Sequence, residues 1–491
     1  MPNPDYQLPD IDLLTTPPRR EDETTAEIFR KRDVINRTLH EFDIAGEVVD
    51  YTIGPCVTRF EIMLAPGVRV KKVAQITDNL AMNLGGDSIR IIPPKGGRAT
   101  IGVEVSNTRQ TQVYSESILR SRKWDYYRPA YPLLLGETWS REPVIEDLTA
   151  APHLLIGGMT GTGKSVLTHT MIAGLLFSRR PDDLKLLLID LKIAEFNVYR
   201  DLPHLLAPVI TDATRAAGAL RWTVGEIDCR FKLMGEAGVK NIREYNGALG
   251  DDEKKLPRIV VIIDELADLR MSPKTVWEDV ESSICRIAQQ GRAAGVHLIV
   301  STQRPSTNVI TGFIKANFPT RIAFRVLQQA DSRVILDLPG AENLLGMGDM
   351  LLTRFSDEEP WRIQGAYIPD DDIKRLVAFV NRQAKPEFVP ELMKEQDNYF
   401  YLPEESNPLP DKAEFAVAAS KFIRDGDDDL IRRAVALILL ERKGSTSFLQ
   451  RWLRIGYNRS LEILNELEAR ELISPMQEDG KRKILVEISQ E

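Results

Sequence analysis

Cysteine is almost absent from this sequence. Cys56, Cys229 and Cys285 are the only three in 491 residues, and they stand far apart. They form no metal-ligand spacing and cannot staple a small core, so free thiols in a reducing compartment are expected. Long apolar runs are missing as well. No stretch approaches the roughly 18 residues of a membrane span. The Pro-, Asp- and Glu-rich start lacks the apolar segment of a signal peptide. Nor is positive charge in excess, since the formal net charge is −8. That excludes a uniformly basic coat for nucleic acid but leaves room for local basic surfaces. What is present, 43% hydrophobic and 28% charged residues, is ordinary for soluble globular protein. A soluble cytoplasmic chain without membrane contact of its own is expected. Its length exceeds a single hydrophobic core, so roughly two to four domains are expected.

Residues 1–24 are rich in Pro and charge, lack a period, and read as a flexible N-terminus. Helical spacing (Ile28, Val34, Ile35, Leu39) then gives way to short strand-like segments at 47–53 and 58–64. A helix is expected over 70–84, and strands over 88–92 and 100–105. Residues 25–117 thus read as a small α+β domain in which no catalytic constellation stands out. The pattern changes over 118–395. Two apolar runs, 131–136 and 143–145, read as edge strands or a platform. Beyond them buried strands (154–156, 184–191, 257–263, 296–301, 321–326) alternate with helical stretches, among them 166–176, 214–234 and 276–294. That alternation predicts a largely parallel sheet with helices on both faces. Residues 396–429 hold Pro403, Pro408, Pro410 and an acidic run, and read as a linker. A separate small domain covers 430–491.

The chemistry is concentrated where the first of those buried strands ends. From Gly158 the residues Gly158, Met159, Thr160, Gly161, Thr162, Gly163, Lys164 and Ser165, followed by Val166, fit G-x-x-x-x-G-K-[ST]. A strand precedes the glycines and a helix follows, which is the context the motif requires. Glycines let backbone amides converge on a phosphate, and the helix N-terminus adds partial positive charge. Lys164 is then the residue for the β/γ-phosphates of ATP, and Ser165 for Mg²⁺. The strand 258–263 ends in Asp264 and Glu265. Asp264 suits a water-mediated Mg²⁺ contact, and Glu265 suits polarising the attacking water, which separates hydrolysis from mere binding. Gln303, at the tip of the next strand, is placed to sense the γ-phosphate. Asp190-Leu191-Lys192 ends another strand and reads equally well as a plain polar tip. Arg292 and Arg304 lie near strand ends, where a solvated arginine and a finger on a neighbouring subunit are both open. These residues describe an α/β P-loop NTPase.

The last domain has its own signature. Helical patterns at 430–440, 445–455 and 458–470 precede two short apolar segments that flank Asp479-Gly480-Lys481, a hairpin signal. Three helices and a β-wing make a winged helix. Between 442 and 461 stand Arg442, Lys443, Arg451, Arg454 and Arg459 and no acid, as a DNA-binding face requires.

From about residue 25 onward the chain resembles the cytoplasmic part of the FtsK/SpoIIIE family of bacterial DNA translocases. Residues 157–166, 203–209, 261–269 and 288–294 carry the resemblance, together with Thr302-Gln303-Arg304-Pro305-Ser306, 309–312, 315–317, 331–333 and 346–351. The resemblance implies a RecA-like motor that assembles as a homo-hexameric ring, threads double-stranded DNA and acts in chromosome segregation and cell division. It implies that Arg292 acts in trans as an arginine finger, and that Arg304 and Lys315 face DNA, where positive charge suits phosphate contacts. Gln329 stands where a close relative carries lysine, which removes one such contact, and Leu191 replaces a usual proline. The final domain then corresponds to a sequence reader that orients the motor and contacts a Xer-type recombinase. Its third helix keeps Asn458 and follows it with Arg459, but has Glu462 and Asn465 where the family presents Arg and Glu. An acid favours a cytosine amino group over guanine, so altered specificity is expected. The family's membrane segments and long linker are not in this sequence, so any tie to the division septum would run through a segment outside it. Two rival readings remain. One is a related pump for conjugation, secretion or packaging. The other is a winged-helix regulator with a nucleotide switch, against which Glu265 and Arg292 stand.

Overall fold

Strands that are apolar at every position, rather than at every second one, need cover on both faces. The computed structural model describes residues 6–393 except 21, 87, 95–98, 128, 251–252, 356 and 358. Beyond these it describes 422, 424, 429–441, 445, 449, 457–475 and 482–485. Two units form, Met1–Tyr399 and Phe400–Glu491.

The first unit begins with a small layer. Helix α1 (Thr25–Glu41) starts at a capping box in which Thr24 and Glu27 satisfy each other's backbone N–H groups. Strands β1 (Gly46–Ile53) and β2 (Val57–Leu64) follow, then α2 (Val70–Gln75), α3 (Thr77–Asn83), β3 (Ile89–Ile92) and β4 (Thr100–Ser106). The strands pair antiparallel in the order β1-β2-β4-β3. Ile28, Ile35, Leu39, Phe60, Ile62, Leu80 and Val103 form its core. The helix expected over 70–84 bends at Ile76, which lets Val73, Ile76 and Leu80 all be buried in that core.

The larger layer follows. Its first elements are β5 (Val113–Tyr114), α4 (Ser115–Leu119), α5 (Arg122–Tyr127), β6 (Pro132–Thr138), β7 (Pro143–Asp147) and β8 (His153–Gly157). Next come α6 (Lys164–Ser178), β9 (Leu184–Ile189), α7 (Ala213–Glu236), α8 (Ile242–Ala248), β10 (Arg258–Ile263) and α9 (Leu266–Arg270). Then come α10 (Lys274–Ala294), β11 (Val296–Thr302), α11 (Gly312–Asn317), β12 (Thr320–Phe324) and α12 (Gln329–Leu336). Strands β13 (Asp349–Thr353) and β14 (Trp361–Tyr367) precede α13 (Asp370–Asn381) and α14 (Pro390–Met393).

One sheet runs β7-β6-β14-β13-β12-β8-β11-β10-β9, with β5 added beside β14. The five strands β12, β8, β11, β10 and β9 are parallel. Alternate residues of these strands enter two different cores. Leu154, Ile156, Leu186, Leu188, Val260 and Ile262 face one side, against α6. Leu155, Leu187, Ile189, Val261 and Ile263 face the other, against α7 and α10. The expected parallel sheet is therefore this central part; β13, β14, β6 and β7 extend it antiparallel. With β11 lying between the strand that leads into the glycine loop and the strand that ends in acids, the layer is a RecA-like P-loop sheet.

Two further expectations change. The N-terminal stretch expected to be flexible lies against this layer. Tyr6 and Leu14 are buried, and Thr15 gives Asp372 of α13 its N–H at 2.9 Å and its hydroxyl at 2.7 Å. Arg375 donates to the Leu13 carbonyl at 2.9 Å. Asp372 is 2% exposed, so a Pro-rich stretch without periodicity is ordered by the partners a buried carboxylate needs. Val113–Tyr114, expected in the small domain, pairs with β14 of the large sheet. Among the described residues, no helix is long and apolar enough to cross a membrane. All three cysteines are free, and burial pushes the Cys56 thiol up to about 12.

In the second unit, helices Asp429–Glu441 and Tyr457–Ala469 pack through Ile431, Val435, Ile438, Leu464 and Leu467. Leu449 joins them, and an antiparallel bridge Ile473↔Ile484 closes the start of the wing. Most of the expected linker, most of the second helix, the wing tip, Arg442, Lys443, Arg451 and Arg454 lie outside the described residues.

The two sheets of the first unit meet at a buried charge triad. Arg362 on β14 holds Asp349 at 2.7 Å and Glu104 of β4 at 2.8 Å, and all three side chains are at most 5% exposed. Removing the cation leaves the buried Asp349 carboxylate without its arginine and Glu104 with only Arg90, at 3.8 Å. Arg362→Met should lower stability by about 3–5 kcal/mol in urea unfolding monitored on the first unit. A loss under about 1 kcal/mol would contradict this account of the interface.

Candidate functional site

The parallel strands of the large sheet all end on one edge, and each delivers its polar tip there. Strand β8 runs into the glycine loop and α6. Gly158, Gly161 and Gly163 have φ of 153°, 76° and 117°, conformations that side chains resist. At Gly163 a Cβ would also stand 3.0 Å from the Gly348 backbone, whose N–H donates to the Thr162 carbonyl at 2.8 Å. Glycine is required there twice over.

The Lys164 ammonium folds back onto its own loop and donates to the carbonyls of Gly158 at 2.7 Å and Met159 at 2.5 Å. The side chain is buried, and burial lowers its pKa to about 8 despite the nearby Glu265, Asp264 and Glu195. Thr162 donates to the Met159 carbonyl at 2.7 Å, and Met159 N–H donates to the Arg325 carbonyl at 2.9 Å. Val166 begins the helix half-buried. The loop is thus held from several sides while its lysine waits on weak acceptors.

Strand β10 ends in Asp264 and Glu265, both under 8% exposed. Burial, followed by the charges of Glu195, Asp190 and Glu265, raises the Asp264 carboxyl to about 7. A carboxyl so placed calls for added positive charge. Among the described residues no three His, Cys, Asp or Glu side chains could hold a metal by themselves. Mg²⁺ asks for only one or two protein oxygens, with phosphates and water completing its sphere, and Ser165 and Asp264 offer that chemistry.

Glu265 is held by β11: Thr302 donates its hydroxyl at 2.7 Å and Gln303 its N–H at 2.9 Å. It also accepts the Ala267 N–H at 3.0 Å and so caps α9. The Gln303 side chain accepts from the Thr160 hydroxyl, joining this tip to the glycine loop. Lys164, Ser165, Asp264, Glu265 and Gln303 therefore share one edge.

Arg292 does not. It sits in the last turn of α10, whose Gly295 cap lies level with the start of β10, where Ile259 N–H donates to the Gly295 carbonyl at 2.9 Å. From Lys274 the helix carries it roughly 27 Å along at 1.5 Å per residue, toward the far edge of the sheet. Its side chain is exposed and makes no hydrogen bond or ion pair among the described residues.

Arg304 follows β11 and is exposed. Lys315 on α11 is already engaged, with Asp337 at 2.6 Å and the Arg333 carbonyl at 2.8 Å. On the helix Tyr457–Ala469, Arg459 pairs with Glu462 at 2.8 Å. The side chain of Asn458 lies outside the described residues.

One participant carried no motif. Glu195, in the loop after β9, lies 3.5 Å from His169 Nε2 on α6, and its carboxyl is held below the usual range first by His169. The only sequence signal for that loop was the polar tip Asp190-Leu191-Lys192.

The FtsK/SpoIIIE family profile matches residues 116–307, the FtsK alpha domain 8–107 and the Ftsk gamma domain 425–487. The DNA translocase FtsK of Clostridium tetani (strain Massachusetts / E88) is 40% identical over 491 residues, covering 99% of this chain and 63% of that protein. The DNA translocase SftA of Bacillus subtilis (strain 168) is 40% identical over 99% of this chain and 48% of that protein. The chain thus spans about half to two thirds of the length of the curated relatives it matches. Among solved structures, the pCW3 conjugation coupling protein TcpA with ATPγS aligns at TM-score 0.49 and 25% identity, over 70% of this chain and 96% of that one. The stretch matched by the FtsK/SpoIIIE profile contains the glycine loop, Asp264, Glu265 and Gln303.

Two glycine variants separate conformation from space. Gly161→Ala meets nothing within 4 Å and should cost only the left-handed backbone term, about 1–2 kcal/mol. Gly163→Ala adds the collision with Gly348, and should lower the melting temperature further and abolish binding of a fluorescent ATP analogue. Equal effects of the two would contradict the packing.

Proposed function

The chain belongs to the FtsK/SpoIIIE family, and from that premise we propose that it is an ATP-driven motor for double-stranded DNA. In this reading it works as a hexameric ring in chromosome segregation at cell division. The carrying observation is the division of the site. Lys164, Asp264, Glu265 and Gln303 stand at one edge of the sheet, while Arg292 lies at the end of α10 that leads away from it. One copy offers a nucleotide site without a finger and a finger without a nucleotide. A closed ring of identical copies joins the two.

In this reading the backbone of 158–163 and Lys164 receive the phosphates of ATP, with Lys164 exchanging two carbonyls for phosphate oxygens. Ser165 and Asp264 would hold Mg²⁺, whose charge suits a carboxyl that burial and its acidic neighbours leave short of positive charge. Bound together, ATP and Mg²⁺ supply the phosphoanhydride and the charge neutralisation of phosphoryl transfer. Glu265 polarises the attacking water from a position set by Thr302 and Gln303 N–H. Gln303, tied to Thr160, reports the state of the loop to β11 and so to Arg304. Arg292 of a neighbouring copy stabilises the transferring phosphoryl group.

DNA contact is assigned to Arg304 and Lys315 in the motor, with Lys315 also drawn to Asp337. Asn458, Arg459 and Glu462 serve the C-terminal winged helix, where Glu462 tempers Arg459 and shifts base preference. The domains are taken as 25–117, 118–395 and 430–491, with Val113–Tyr114 reassigned to the motor sheet and 396–429 as the linker before the last. The family likeness adds a Xer-type recombinase as a partner of the last domain.

The test is ATP hydrolysis with and without duplex DNA. Wild type should be stimulated by duplex, and Lys164→Ala and Arg292→Ala should each be inactive. A mixture of the two variants should regain activity, because some interfaces then pair an intact loop with an intact finger. No stimulation by duplex would refute the motor; no recovery on mixing would refute the shared site.

A further inference from the structure

One exposed carboxylate of the motor stands between two cations. Asp337 caps the end of α12, donating its N–H to the Arg333 carbonyl at 3.0 Å, and its side chain is 62% exposed. Its backbone is left-handed, with φ 65°, a conformation that Asp and Asn tolerate better than other side chains do. One carboxylate oxygen, Oδ1, takes Lys315 Nζ of α11 at 2.6 Å, and the other, Oδ2, takes Arg321 Nη1 of β12. Partial burial raises this carboxyl, but hydrogen bonds from Lys315 and Arg321 outweigh it and hold it below the ordinary carboxylate range. Asp337 is therefore an anion at neutral pH.

The two cations are not equally free to leave. Arg321 also donates from Nε to the Phe318 carbonyl at 2.9 Å and from Nη2 to the Lys315 carbonyl at 2.9 Å, closing the end of α11. Its guanidinium is built into the fold. Lys315 holds only Asp337 and, at 2.8 Å, the Arg333 carbonyl. An ammonium carries three equivalent protons on a flexible four-carbon chain, so it turns to a new acceptor at small cost. Lys315 is the member of the cluster able to exchange partners.

A phosphate that reaches Lys315 from outside meets a carboxylate already in its place. Two anions around one ammonium repel, and an exposed ion pair is weak enough to be exchanged. We propose that Asp337 stands in for a DNA phosphate on Lys315, so that duplex DNA displaces it on binding and its return promotes release. The inference rests on the reading of Lys315 as a DNA contact and adds to it a built-in competitor that keeps the contact short-lived. Such a competitor suits a motor that lets go of one phosphate before taking the next.

The test follows the anisotropy of a fluorescein-labelled duplex of mixed sequence, titrated with the full chain and ATPγS from about 50 to 200 mM salt. Asp337→Asn keeps the side-chain shape and accepts the left-handed backbone, so the melting temperature should stay within about 3 °C of wild type. It should bind the duplex about 2- to 5-fold tighter at low salt and slow dissociation by a similar factor. The slope of log K against log salt should steepen by up to about one. Lys315→Ala should weaken binding and flatten that slope by about one. In the Lys315→Ala background, Asp337→Asn should gain less than about half as much, because both changes act through one ammonium. Unchanged or weaker binding by Asp337→Asn overturns the proposal. So does an undiminished gain without Lys315, which marks a general loss of negative charge. Should Lys315→Ala itself leave affinity and slope unchanged, the reading of Lys315 as a DNA contact fails first, and the inference with it.

Discussion

A lysine ammonium buried among carboxylates, with only its own loop's carbonyls as direct acceptors, is the interaction on which the nucleotide site depends. Lys164 is pressed toward losing its proton by burial, and Asp264 toward keeping one. Neither condition is comfortable for a folded protein at neutral pH, and each is relieved by what the other lacks. Phosphate offers Lys164 better acceptors than Gly158 and Met159, and a cation offers Asp264 what Glu195, Asp190 and Glu265 deny it. The site is thus strained toward its ligands rather than complete without them. The Gly348 N–H, donating to the Thr162 carbonyl, and the close approach of Gly163 to Gly348 fix the loop that carries Lys164.

Everything that holds this cluster follows from the sheet. Strands apolar on both faces must be covered twice, and alternation of their residues between two cores fixes their register. Once β8, β10, β11 and β9 are parallel, their tips meet on one edge, and helices returning between them deliver their ends to the other. Arg292 reaches the far edge for that topological reason. The same geometry that assembles Lys164, Asp264, Glu265 and Gln303 therefore withholds the arginine. In the proposed ring, division of the site between copies would follow from the parallel sheet rather than being added to it. The small sheet is tied in by the Arg362 triad, and Gln364 of the same strand holds the Met347 carbonyl at 2.8 Å beside the glycine loop. Strain in the loop is thereby continuous with the interface between sheets.

Much of this was legible from residues alone, for a physical reason in each case. The glycine loop and the acid-tipped strand are local features, readable because phosphate binding needs a fixed spacing and a buried strand needs an unbroken apolar run. The antiparallel extension was not legible, since β13 and β14 owe their place to partners distant in sequence. The N-terminal stretch was misjudged because composition reports the capacity to make a core, whereas Thr15 and Leu14 borrow one. Glu195 escaped notice because its own loop has no motif and its approach to His169 is made only by the fold. Lys315 and Arg459 were read as cations for DNA; the structure also gives them Asp337 and Glu462. Sequence shows charge, but only the fold shows who already holds it.

The central claim is movement along duplex DNA driven by a site shared between copies. Its most direct measurement is displacement of a third strand from a DNA triplex by the purified protein with ATP. The account predicts release of the third strand with ATP and none with a non-hydrolysable analogue. ATP hydrolysis on duplex DNA with the triplex left intact would contradict it.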